Sequence, residues 1–377
     1  MEPYILCIAV SLLFAFFSQK LFESNKNRFA ILFLTISFLL PCIISGCRTI
    51  LTGRDITVYV LNNYDIAINS NNIISYLKKI EIEPFFGIAI YIGSRFRDIH
   101  YSLFFIQLFI EIPLFLYTYM NRKEKKVFLV TSVYLLTVFC NSLNIMMQMM
   151  AVSYTVLGFY FFKNKRYKSF MICFILSIMS HTSAIITLII YLIEYIYDCN
   201  RFKDKPLYSF IIVCCVVAFS LILDKLIMYL PDYSMYLTRK NTLTVSNVVI
   251  SSVKKLFWIT IGLVCLFTYD SKNSRRKEVI VPILLLVIDL VLSFASIKIS
   301  SAGRIGYYFL YLGYFELIPH ISNSFVQKKS VNFAIFCILF IFWINMTIND
   351  TTSNIVPYRS DIINFLNSKE LIANEWK

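Results

Sequence analysis

Glycine and proline are scarce, nine of each in 377 residues. Ordinary shares are about 7% and about 5%, so collagen-like, linker-rich and low-complexity architectures are excluded. Charge is scarce as well: 15% of residues are Asp, Glu, Lys or Arg, where soluble domains carry about a quarter. Histidine occurs three times, at 100, 181 and 320, too scattered for a zinc or haem constellation. The ten cysteines form no C-x-x-C pair, and most fall inside apolar runs, where Cys behaves as a small buried hydrophobe. Neither a disulfide framework, a metal site nor a cofactor is expected. There is no G-x-x-x-x-G-K-[ST] and no G-x-G-x-x-G, which argues against ATP-driven transport within the chain and against soluble-nucleotide chemistry.

What is abundant is apolar surface. Hydrophobic residues make up 58% of the chain and aromatic ones 17%, with a mean hydropathy of +0.69. This composition predicts an all-α, polytopic integral membrane protein, read as a single transmembrane domain over 1–377. The formal charge of +14 crowds into short connections, where it meets anionic lipid and obeys insertion rules. Membrane lipids are therefore expected partners, and nucleic acid is not.

A membrane-crossing helix needs about 20 apolar residues, from about 17 to about 25. Twelve apolar runs are candidates, 4–19, 29–47, 101–120, 127–141, 144–162, 169–180, 182–197, 207–230, 253–269, 279–297, 304–320 and 331–348, of which 169–180 and 182–197 are short and read as two tilted spans or one re-entrant pair enclosing a polar tip. The opening run lacks a basic n-region and a small-residue cleavage site, and reads as a first span rather than a removed signal. Segment 84–94 is too short to cross and reads as an interfacial or partly buried helix within a loop. With it not crossing, alternate connections hold 20 of the 36 basic residues in 47 positions. Those connections are assigned to the cytoplasm. The loops 48–100 and 231–252 and the tail 349–377 are then external, on the face expected to carry function.

Four clusters can carry chemistry. Arg48, Gly53, Arg54, Asp55 and Tyr59 follow the second run; two guanidiniums with an acid beside a glycine turn can hold a phosphate, or simply form a solvated Arg–Asp loop. Glu83 precedes Pro84 at the start of the short apolar helix, which is ordinary N-terminal chemistry or a catalytic acid or base. His181 lies between apolar runs in Ser180-His181-Thr182-Ser183, a place where an ionisable group usually lines a cavity. Arg304 follows Gly303 near the start of a late run and either snorkels to headgroups or meets an anion. Asp289 also lies within an apolar run, as does Asp224 beside Lys225, and each is weaker. Glu111 and Glu194 are intramembrane acids without an assigned role.

Taken in order, these stretches resemble the EpsG family of Wzy-type polysaccharide polymerases. The resemblance rests on Arg48 with Gly53, Arg54, Asp55 and Tyr59; Glu83 with Pro84; Asn144 with Gln148 and Ala151; Ser180 to Ala184; Arg304 with Tyr308 and Pro319; and the late Pro357 and Tyr358. Relatives commonly carry Arg just before the Gln of the third stretch, where this chain has Met147.

The resemblance implies a GT-C-like membrane glycosyltransferase of about 12 helices, from 10 to 14. It would transfer a glycan from undecaprenyl diphosphate to a hydroxyl of another lipid-linked repeat unit, outside the plasma membrane, in O-antigen, capsule or exopolysaccharide synthesis. The undecaprenyl-diphosphate-linked oligosaccharide is the implied partner, with a chain-length regulator beside it. Arg48, Arg54 and Arg304 would bind the diphosphate, and the base would be His181, then Asp55, then Glu83, with no metal. The rivals are a flippase of the same lipid-linked oligosaccharide, a membrane acyltransferase acting on surface sugars, and a ligase sharing the polymerase chemistry.

Overall fold

The computed structural model describes residues 1–198, 245–268, 277–297, 300–324, 328–349 and 355–362. In chain order the helices are α1 (Glu2–Glu23), α2 (Asn27–Cys47), α3 (Leu61–Ile68), α4 (Ile73–Leu77), α5 (Pro84–Ser94), α6 (Ile99–Asn121), α7 (Val127–Val133), α8 (Phe139–Ser142), α9 (Met146–Lys163), α10 (Tyr167–Ser180), α11 (Leu188–Asp198), α12 (Val245–Thr268), α13 (Lys277–Ala295), α14 (Ser300–Ser324) and α15 (Lys328–Asn349). Two π turns, Ile56–Val60 and Tyr134–Val138, lead into α3 and join α7 to α8.

Among the described residues, six of the expected runs are helices long and apolar enough to cross a membrane: those in α1, α2, α6, α12, α13 and α15. The stretches 127–142 and 167–180 are apolar but shorter. The run 182–197 is broken, with a 3-10 turn over Thr182–Thr187 before α11. The run 207–230 and residues 231–244 of the expected external loop lie outside the described residues. From Val245 that loop is already helix, because Val248, Val249, Ile250 and Val253 continue the apolar run of α12 backwards.

The chain divides into two compact units, residues 1–184 with 333–377, and residues 185–332. In the first unit α1 and α2 are antiparallel: Ser18 Oγ donates to the Ala30 carbonyl at 2.8 Å and Ser37 Oγ to the Ser11 carbonyl at 2.8 Å. The register of α2 on α6 is set where His100 Nδ1 donates to the Gly46 carbonyl at 2.8 Å. Part of α15 lies along α7 and α8, with Phe336 against Phe128 and Trp343 Nε1 donating to Cys140 Sγ at 3.3 Å. One end of this unit gathers the basic connections 20–28, 121–126 and 163–168, tied by Lys126 to Glu23 at 3.3 Å. The opposite end gathers the sequence motifs, and is called the motif end below.

The segment after the second span is not a plain loop. Helix α5 runs antiparallel to α6: Ser102 Oγ donates to the Ile90 carbonyl at 3.0 Å, and the Phe85 ring meets Phe109 at 5.2 Å. Gly93 permits this approach, because a Cβ there would collide with the Ser102 backbone. The strand of chain before α5 descends along it, placing Tyr76 against Tyr91 at 5.4 Å and Ile80, Tyr76 and Leu77 over Gly87. Arg95 holds the top of this hairpin by donating to the Ala67 carbonyl and stacking on Tyr91. Residues 70–95 therefore dip into the unit and return. Segment 84–94 is partly buried, with Phe86, Ala89 and Ile90 at 0% exposure.

In the second unit, α12, α13 and α14 pack on one another. Lys255 on α12 pairs with Asp289 on α13 at 2.7 Å, and both are buried. Either charge alone would be strongly disfavoured at this depth, so the pair explains the presence of each. Glu278 and His320 form a second contact at 3.1 Å between α13 and α14.

Candidate functional site: an arginine clasp at one end of the bundle

Helix α2 stops at Cys47, and Arg48 continues in extended conformation, at φ −74° and ψ 152°. This turns its side chain back into the protein. Nη1 donates to the Leu143 carbonyl and Nη2 lies 3.2 Å from Met146 Sδ, with the residue at 0% exposure. Its Nε is buried without a hydrogen-bond partner. Burial pushes the guanidinium down to about 10, a shift that Tyr4, Tyr358 and Asp55 oppose. It stays charged at neutral pH.

Gly53 completes the turn at φ +99°, a conformation that favours glycine. A Cβ at that position would also lie 2.5 Å from the Leu143 carbonyl oxygen and 3.2 Å from Arg48 Nη1. Beyond it the Arg54 backbone N–H donates to Asn144 Oδ1 at 3.0 Å, and Asp55 Oδ2 accepts the Met146 backbone N–H at 3.0 Å. The carboxylate thus satisfies an orphan N–H at the start of α9. The first and third sequence stretches form one clasp, which leaves the Arg54 side chain exposed.

A strap from the C-terminal region closes over the same place. The Tyr358 hydroxyl donates to the Ile44 carbonyl at 3.0 Å, the Thr49 N–H to the Arg359 carbonyl at 2.9 Å, and Ser360 Oγ to the Cys47 carbonyl. Tyr4 reaches it from α1, donating to the Ile355 carbonyl at 3.0 Å with its ring 5.2 Å from Tyr358.

His181 ends α10, where its N–H still bonds to the Ser177 carbonyl at 3.1 Å. Its depth is set by Ser177, whose Oγ donates to the Ala151 carbonyl of α9 at 2.7 Å. His181 is therefore near the motif end, about one helical turn beyond Ser177. Its Nδ1 lies 2.8 Å from Ser183 Oγ and 3.2 Å from the Ser183 N–H. Nδ1 accepts the Ser183 backbone N–H, so the proton of the neutral ring sits on Nε2.

Two candidates remain. Glu83 lies at the low point of the re-entrant hairpin, half-buried, and its side chain does not cap α5. It has no direct contact with Arg48, Arg54, Asp55 or His181. Arg304 belongs to the second unit, exposed in the first turns of α14, with Tyr308 buried one turn on.

The model of the EpsG family matches residues 31–360. The chain belongs to the EpsG family. No curated protein and no solved structure matches it. The matched span of this EpsG-family chain runs from within α2 to the strap at Ser360, so it contains every part of the clasp. Membership points to polysaccharide synthesis. At Met147, where relatives commonly carry Arg, the side chain is buried at 7% exposure.

A buried polar ladder beneath the clasp was not anticipated. The Tyr134 hydroxyl, in a π turn, donates to Glu111 Oε1, which also accepts from Gln107 Nε2 at 2.9 Å. Gln107 Nε2 donates in turn to Ser142 Oγ at 2.9 Å. Ser142 precedes Leu143, whose carbonyl receives Arg48. Glu111 Oε2 is buried without a partner. The spacing of Gln107 and Glu111 on one helix face was a usable signal; Tyr134 and Ser142 gave none. Lys255 also escaped notice as the partner of Asp289.

Proposed function

We propose that this EpsG-family chain is a polysaccharide polymerase acting at the external face of a bacterial plasma membrane. The acceptor hydroxyl oxygen attacks the anomeric carbon of a donor glycan. The bond from that carbon to the undecaprenyl diphosphate breaks, the diphosphate leaves with the electron pair, and the hydroxyl proton passes to a base. The glycosyl diphosphate supplies the driving force, so this reading needs no nucleotide and no metal.

The observation that carries the reading is the arginine clasp at the motif end. The basic connections at the other end of the unit support a cytoplasmic assignment for that end and an external one for the clasp. Arg54, presented by the clasp, meets the diphosphate oxygens, where charge-assisted donors stabilise developing negative charge, and for Arg304 of the second unit the same role rests on the family resemblance. Arg48 lies beneath Arg54, holding the loop and adding a fixed positive charge. His181 is the base that takes the hydroxyl proton, its ring oriented by Ser183 at Nδ1. Asp55 is committed to the start of α9, and Glu83 lies too deep to share the clasp's phosphate.

The test is Arg54→Ala beside Arg304→Ala in cells producing the native glycan. Both should lose chain extension by at least tenfold while the protein inserts at normal abundance. Wild-type chain lengths in both would remove the phosphate role. The buried Lys255–Asp289 pair is the feature that favours a flippase as second reading. Repeat units accumulating on the cytoplasmic side after deletion would support it.

A further inference from the structure

The re-entrant hairpin ends on a charged tip: Lys78, Lys79, Glu81 and Glu83. Its depth follows from register. Phe85 touches Phe109, ten residues into α6, and Tyr154, eight residues into α9, at 5.2 and 5.4 Å between ring centroids. At about 1.5 Å per residue the tip lies about 12 to 15 Å below the motif end, near the middle of a spanning helix. Residues 80–83 there are irregular backbone. Lys78, Lys79 and Glu81 are exposed, and none of the four charged side chains has a hydrogen bond or ion pair with another described residue.

Irregular backbone and unpaired charge are tolerated at this depth only where water or protein satisfies them. We propose that residues 78–83 form the floor of a water-filled vestibule entered from the motif end, and that this floor binds the glycan of a lipid-linked repeat unit. The identity of the occupant rests on the polymerase reading. The two cations and two carboxylates balance, which suits hydrogen bonding to a hydroxyl-rich chain better than capture of a free ion. A cluster of one sign would point to an ion instead. Glu83 is then a binding residue for sugar hydroxyls, remote from the clasp.

The test uses the full chain with Lys79→Cys, and Lys78→Cys as a second variant should the first fail to accumulate. Labelling in sealed cells and in inverted vesicles compares a small membrane-impermeant methanethiosulfonate with a bulky polyethylene-glycol maleimide; the wild-type cysteines give the background. The expected result is labelling by the small reagent from the external side, at least tenfold above background, with the bulky reagent excluded. No labelling from either side, labelling from the cytoplasmic side alone, or equal labelling by both reagents would overturn the vestibule. Purified undecaprenyl-diphosphate-linked repeat unit should then slow the small reagent at least threefold; an unchanged rate would overturn the glycan assignment. A deletion strain with normal long-chain glycan would remove the polymerase reading while leaving the accessibility result standing.

Discussion

The Asp55 carboxylate accepts the backbone N–H of Met146, 91 residues further along the chain, at 3.0 Å. With Arg48 on the Leu143 carbonyl and the Arg54 N–H on Asn144, it makes two distant stretches a single rigid support. Support and ligand contact are thereby separated: Arg48 and Asp55 face the protein, and the side chain of Arg54 faces out. Arg48→Ala should cost about 2 kcal/mol, because the Leu143 carbonyl loses its buried donor. Arg54→Ala should change stability by less than about 0.5 kcal/mol, as exposed substitutions do. Thermal unfolding in detergent checks both, and equal losses would contradict the division.

Gly53→Ala tests the turn. A left-handed backbone and a contact at 2.5 Å with the Leu143 carbonyl oxygen oppose any side chain there. The expected loss is about 1 to 3 kcal/mol, together with loss of chain extension. A variant with wild-type stability would show that the clasp is looser than described.

The clasp should not respond to pH in the physiological range. Burial lowers the folded-state value of Arg48 to about 10, so between that value and the ordinary guanidinium value the unfolded chain binds more protons and stability rises with pH. Below about pH 9 both states are charged and the contribution is flat. Arg48→Met should therefore leave the shape of the stability profile between pH 5 and pH 9 unchanged, within the error of a thermal-shift series. A changed slope there would contradict the assignment.

Much of the fold was legible because apolar runs of spanning length report on themselves. The antiparallel order in the first unit and the gathering of basic connections at one end follow from that patterning alone. The re-entrant course of residues 70–95 was not legible. Its eleven-residue apolar helix reads equally as an interfacial or a partly buried segment, and the close approach of Gly93 to Ser102 is what shows it packed against α6. At the site, the residue types at Arg48, Gly53 and Asp55 were visible, but their partners are a backbone carbonyl, a thioether and a backbone N–H, which no side-chain pattern announces. The Glu111 ladder was half visible, since its i to i+4 Gln partner shares a helix while Tyr134 and Ser142 arrive from another stretch.

Glu111→Ala should destabilise the first unit by about 1 to 3 kcal/mol, since Tyr134 and Gln107 lose a buried acceptor. Glu111→Gln keeps an acceptor oxygen in place and should recover most of that loss. The comparison is read by thermal unfolding; a Gln variant as unstable as the Ala variant would mean that charge, rather than hydrogen bonding, is what the ladder needs.

In the second unit, Asp289→Ala leaves the Lys255 ammonium buried without its counter-ion, and about 3 to 5 kcal/mol should be lost. The double variant Lys255→Met with Asp289→Leu should be closer to wild type than either single change. Additive losses in the double variant would show that the two charges are independent.

The account stands most directly on the glycan made by a strain lacking this protein. Surface or lipid-linked glycan one repeat unit long is the predicted result, restored to long chains by the intact gene and not by Arg54→Ala. Long chains of ordinary length in the deletion strain would contradict the polymerase reading outright.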